Sequence, residues 1–150
     1  MSNQYIYIEE LDINIIRFLK KHHVMTLATS DNNKPWCFTC FYVFDEKKIK
    51  FLVTSDYNTR HVKEVMKQPC ISGAIALETT MIGKIQGVQF SGMMTEIKEE
   101  ESNEAKKAYI KRFPVAAFSE LQLWRIEPDF IKFTDNRLGF GKKMIWQKKS

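Results

Sequence analysis

The residues from Thr54 to Lys63 run TSDYNTRHVK, which places the hydroxyls of Thr54, Ser55 and Thr59 close in sequence to Arg60, His61 and Lys63. Hydroxyls and a guanidinium suit a phosphate monoester when they sit at a helix start. The first backbone N–H groups are unpaired there and the helix dipole adds partial positive charge. The flanking residues predict such a start. Ile49, Phe51 and Val53 alternate with Lys50, Leu52 and Thr54, the period of a strand, and Ser55 to Asn58 break that pattern. From Thr59 onward Val62, Val65 and Met66 fall on one side of a helix. A plainer reading stands beside this one: Ser55, Asn58 or Thr59 caps the helix, and Arg60 and Lys63 are solvated charges. Asp56 puts a carboxylate into the same turn, which a phosphate tolerates only if Asp56 caps the helix or points away.

The cysteines offer less. Cys37 and Cys40 form C-x-x-C, but within PWCFTCFYVFD, a strand-like run in which residues three apart face opposite ways. A redox pair needs its first thiol at a helix N-terminus. A zinc site needs further ligands, which Cys70 and the three histidines do not supply. Buried, reduced thiols and no metal are expected. His22 and His23 follow Lys20 and Lys21 at a helix C-terminus, where positive charge suits the dipole. GFGKK lacks the spacing of a P-loop and no G-x-G-x-x-G is present.

The elements that must position these residues are legible in order. Glu9 to Lys21 reads as a helix with Leu11, Ile15, Phe18 and Leu19 on one face. VMTLATSD, PWCFTCFYVFD and KIKFLVTS then read as three antiparallel strands. CISGAIALE and KIQGVQFSGMMTEIK are two more, and the glycines in the second predict a bulge or a close backbone approach. EEESNEAKKAYIKRFP reads as a charged helix with Glu99 to Glu104 solvated, LQLWRIEPDFIKFTDN as two short strands around Pro128, and RLGFGKKMIWQKKS as a loop into a final strand. Six or seven mostly meandering strands with two or three helices predict a mainly β, α+β domain over residues 1–150, built as a closed or split antiparallel barrel.

Composition sets bounds on function. The chain has 150 residues, a formal charge of +5 and 13% aromatic residues, including eleven Phe, which favours an ordered core. The lysines are spread among acids, and the aromatics sit in strands rather than in an exposed basic stripe, so nucleic-acid binding is not expected. No apolar run is long enough to span a bilayer and the N-terminus is too polar for a signal peptide, so a cytoplasmic protein is expected.

The order of elements, with VMTLATSDNNKPWCFTCFYVFD, FLVTSDYNTRHVKEVMKQP and GVQFSGMMTEI, resembles the pyridoxamine 5'-phosphate oxidase-like split barrels that bind FMN, and a small bacterial branch of them in particular. The resemblance runs from about Ile15 to Trp146. It implies that Ser55, Thr59 and Arg60, with Thr54 and His61 adjacent, hold the FMN phosphate. It further implies that Trp36, Cys37, Phe38 and Thr39 lie beside the flavin ring. A homodimer is implied, with the flavin at the interface and the second chain contributing Gln86 or Gln89 and, near the C-terminus, Lys142 and Trp146. The chemistry of FMN agrees: it needs a phosphate anchor, an apolar wall that Trp36 and Phe38 could supply, and polar groups such as Gln86 and Gln89 for the pyrimidine edge. Packing roles for Trp36, Phe38 and Trp146 remain open at this point.

Two classes of function follow from the resemblance. One is an FMN-dependent oxidoreductase acting on a small molecule, with no side-chain acid or base assigned. The other is a non-catalytic flavin- or haem-binding protein on the same barrel. The oxidases of pyridoxamine phosphate carry a C-terminal Arg-x-His element, where this chain reads GFGKKMIW. Pyridoxamine phosphate is therefore not the expected substrate, and NADPH or NADH is the expected electron donor.

Overall fold

A computed structural model describes residues 4–150. The backbone forms β1 (Gln4–Ile8), α1 (Ile13–Lys21), β2 (Val24–Asp31), β3 (Lys34–Asp45), β4 (Lys50–Thr54), α2 (Arg60–Lys67), β5 (Cys70–Ala76), β6 (Gln86–Glu96), α3 (Glu99–Arg112), β7 (Leu123–Asp135) and β8 (Lys142–Gln147). The sheet order is β1-β8-β7-β4-β3-β2-β5-β6, and a further pairing of β6 with β7 closes six of the strands into a barrel. β7 makes that closure possible. It pairs along its length with β6, while on its other edge Leu123 to Ile126 meet β4 and Phe130 to Thr134 meet β8.

The expected split barrel is thus present, with three differences in detail. First, LQLWRIEPDFIKFTDN is one long strand rather than two. Pro128 is accommodated at a register shift opposite Ser91 and Gly92, where a bulge absorbs the residue that cannot donate to the ladder. Second, Gln4–Ile8 is a strand that the polar N-terminus did not predict, and it pairs in parallel with β8. Third, α1 begins at Ile13, because Asp12 caps it by accepting from the Asn14 N–H at 2.8 Å. Among the described residues no helix is long and apolar enough to cross a membrane.

Two cores fill the molecule. Inside the barrel, Met25, Leu27, Tyr42, Phe51, Val53, Val88, Phe90, Ile126, Ile131 and Phe133 pack with α1 and with Val62 and Val65 of α2. Outside it, Leu52 and Leu123 pack under Ala105 and Tyr109 of α3. The run Phe51-Leu52-Val53 is therefore buried on both faces. Met66, expected beside Val62 and Val65, is instead 64% exposed, since the buried stripe of α2 is completed by Glu64.

Candidate functional site

The turn from Ser55 to Thr59 is fixed by its own backbone and by β7. The Ser55 N–H donates to the Gln122 carbonyl at 3.1 Å, and the Ser55 carbonyl accepts from the Trp124 indole at 2.9 Å. Asp56 turns its carboxylate to the Asn58 N–H at 2.7 Å, while its carbonyl accepts from the Thr59 N–H and hydroxyl. Thr59 in turn caps α2, accepting from the Val62 N–H at 3.4 Å. The capping reading of Thr59 is correct, and it also serves the phosphate reading. With Thr59 spent on the cap, the backbone N–H groups of Arg60 and His61 make no hydrogen bond among the described residues and remain as anion donors.

Arg60 is held in place from two directions. Its Nε donates to Glu64 Oε1 at 2.8 Å, one helical turn on, and its guanidinium lies 4.2 Å above the Trp36 ring. Among the described residues the two Nη groups have no partner, which leaves them for a bidentate acceptor. Glu64 is buried at 6% exposure and also accepts from the Thr29 hydroxyl of β2 at 2.6 Å. That hydroxyl, followed by Arg60, holds the Glu64 carboxyl below its ordinary range. Neither Glu64 nor Thr29 was singled out in the sequence, although the Arg60–Glu64 spacing of four is the signal that marks such a pair.

His61 stacks on Phe38, with centroids 3.6 Å apart and planes 6° from parallel, and hydrogen-bonds the Ser55 hydroxyl through Nε2. Burial lowers its pKa, opposed by Glu64, which favours a neutral ring near pH 7. Phe38 and Trp36 share the face of β3 that meets α2, and strand alternation sends Cys37 and Thr39 to the opposite face. Cys37 is consequently exposed, not buried as expected, while Cys40 is partly buried and its thiol is raised to about 12. The cysteines are free, and among the described residues no metal-holding cluster forms.

β3 is open where these residues lie. Tyr42 to Asp45 pair with β4, whereas Lys34 to Phe41 pair with β2 alone, leaving a free edge beside the turn. The remaining predicted residues are elsewhere. Gln89 lies on the outer face in a cross-strand row with Ala74, Thr26 and Thr39, and lines a shallow depression with Cys37. Gln86 lies against Arg137, which is paired at 2.8 Å with the buried Asp135, and the contact requires the amide oxygen to face the guanidinium. Lys142 is exposed at the start of β8, and Trp146 packs into the barrel core at 6% exposure. Within one chain neither joins the turn; Trp146 is a core residue because Ile131 of β7 and Ile8 of β1 pair with it on either side.

A closed six-stranded barrel with one strand edge left free beside a capped, basic helix start is a split barrel. A family model described as pyridoxamine 5'-phosphate oxidase matches residues 11–135, and the chain belongs to that family. It is 43% identical over 132 residues to UPF0306 protein YhbP of Escherichia coli O157:H7, covering 88% of this chain and 90% of the relative. Among solved structures, a FAD-binding protein from Mesorhizobium loti superposes with a TM-score of 0.67 at 13% identity, covering 81% of this chain and 92% of that one. A heme binding protein from Mycobacterium smegmatis gives 0.69 at 17% identity, covering 83% and 52%. At such identities these two structures share the fold.

Proposed function

We propose that this protein binds FMN and works as a flavin-dependent oxidoreductase on a small molecule. The observation that carries the reading is Arg60, braced by Glu64 and Trp36 beside two unpaired backbone N–H groups. A phosphate would meet the Arg60 Nη groups and the Arg60 and His61 amides, while the Asp56 carboxylate is occupied with Asn58. Trp36 and Phe38 offer an apolar wall along the free edge of β3. When bound, the flavin supplies the electron-transfer chemistry, and this chain binds and orients it. One guanidinium and two backbone N–H groups match a single phosphate, which favours FMN over a dinucleotide.

The second chain belongs to the same proposal. Val24, Thr26, Ala28, Cys37, Thr39, Phe41, Ser72, Ala74, Gln89 and Met93 make an outer face across β2, β3, β5 and β6 with no charged side chain among them, bordered by Lys132 and Glu127 of β7. Exposed sheet faces ordinarily alternate to charged and polar residues, so this face suits a second copy of the chain. Pairing there is the route by which Gln89, Lys142 or Gln86 of one chain would reach the flavin of the other. The haem alternative is supported by the heme binding protein among the structural neighbours. Titration calorimetry of the folded protein with FMN, riboflavin, FAD and haemin separates these readings: FMN should bind tightest, and tighter binding of haemin would replace flavin with haem.

A further inference from the structure

The turn that anchors the phosphate also forms one wall of a second feature. On the far side of Ser55 from α2 lies a cleft of about 560 Å³, bounded by Phe41 of β3, Thr54 and Ser55, Tyr109 and Phe113 of α3, and Val115 of the short helix Pro114–Phe118. Its size is that of a small-molecule site. We propose that this cleft is the substrate subsite of the flavin site and takes a planar, apolar compound without an anionic group. The proposal rests on the flavin reading for its role, though not for its ability to bind.

Three observations carry it. The wall is aromatic and ordered: the Phe41 and Phe113 rings lie 5.2 Å apart, Tyr109 and Phe113 5.1 Å apart, and Tyr109 is tied to β4 by a 3.3 Å bond from the Thr54 hydroxyl. Such a wall favours an offset-stacked planar guest. The lining carries two carboxylates, Asp56 and Glu120, against one guanidinium, Arg112, whose Nη2 is already committed to the His22 carbonyl at 2.6 Å. The Arg112 Nε is buried without a partner among the described residues and remains as one donor for a neutral carbonyl, while the excess of carboxylates disfavours an anion. Lastly, Ser55 joins the cleft to the cofactor residues, since it lines the cleft and its hydroxyl bonds His61. Val115 at the rim is 81% exposed, so the cleft is open to entry.

The test uses the full chain without flavin. Menadione, a neutral naphthoquinone, is titrated while tryptophan emission is followed, in parallel with 1,4-naphthoquinone-2-sulfonate. Saturable menadione binding is expected, with the sulfonate weaker. Ala116→Trp, which fills the cleft, and Val115→Asp, which charges its rim without touching the core, should each weaken menadione by about tenfold or more. Absence of saturable binding, wild-type affinity in both variants, or tighter binding of the sulfonate overturns the subsite. FMN binding is measured separately on the same samples. Loss of FMN binding with menadione binding intact would overturn the flavin reading and leave the cleft standing as a binding site, whereas FMN binding without menadione binding overturns the subsite alone.

Discussion

The Arg60 guanidinium lies 4.2 Å over the Trp36 ring while its Nε is held by Glu64, so a residue on α2 is clamped between its own helix and β3. The clamp removes rotamer freedom before any ligand arrives, which lowers the entropy cost of binding. Among the described residues it also leaves the two Nη groups without a hydrogen-bond partner. Arg60→Ala should therefore weaken FMN by about tenfold to a hundredfold, from the roughly 1.5–3 kcal/mol of a charge-assisted bond, and leave riboflavin nearly unaffected. Paired titrations with both ligands check this. Equal losses would place Arg60 away from the phosphate.

Glu64 links the same clamp to acid stability. Its carboxyl is lowered by the Thr29 hydroxyl first and then by Arg60, so below the ordinary carboxylate range the unfolded chain binds the proton more readily than the folded one. The stabilisation is complete above about pH 4.3 and is lost as pH falls through the lowered folded value. Thermal melts of wild type and Glu64→Gln between pH 6 and pH 3 should converge on acidification. Curves that stay parallel would show that Glu64 carries no such linkage.

Burial is the leading cause of the lowered His61 pKa, and Phe38 stacks directly on the ring. Phe38→Ala exposes the ring and should raise its titration midpoint toward that of a free imidazole, followed by the ring-proton shifts in NMR. An unchanged midpoint would assign the shift to other neighbours.

Gly92 occupies the bulge where β6 passes β7. A Cβ built there falls 2.3 Å from the Glu127 carbonyl oxygen and 2.8 Å from Pro128 Cα, both backbone atoms that cannot step aside. Gly92→Ala should destabilise the fold by about 1–3 kcal/mol in urea denaturation, the usual range for overpacking. Gly83→Ala, with nothing within 4 Å of the added atom, serves as the neutral control.

What could be read in advance followed local chemistry. The strand, turn and helix around Thr59 were visible because the cap residue and both periodicities lie within one short stretch. Thr29 was not visible as a partner of Glu64, because 35 residues separate them and only barrel closure brings β2 over α2. Gln4–Ile8 was hidden for a related reason: among the described residues its strand partner is β8, at the opposite end of the chain. Cys37 and Cys40 do lie on one strand, as the run PWCFTCFYVFD predicted, yet the exposure of Cys37 depends on the uncharged outer face of β2, β3, β5 and β6, a property of four strands together. Pro128 suggested a strand break because a bulge opposite Gly92 is written in β6 rather than in β7.

The visible spectrum of the purified protein, with the released chromophore identified and the FMN-free chain titrated with FMN, bears most directly on the central claim. Flavin absorption bands, release of FMN on denaturation and saturation at one FMN per chain are the expected result. A Soret band, or failure of the folded protein to take up FMN at all, would contradict it.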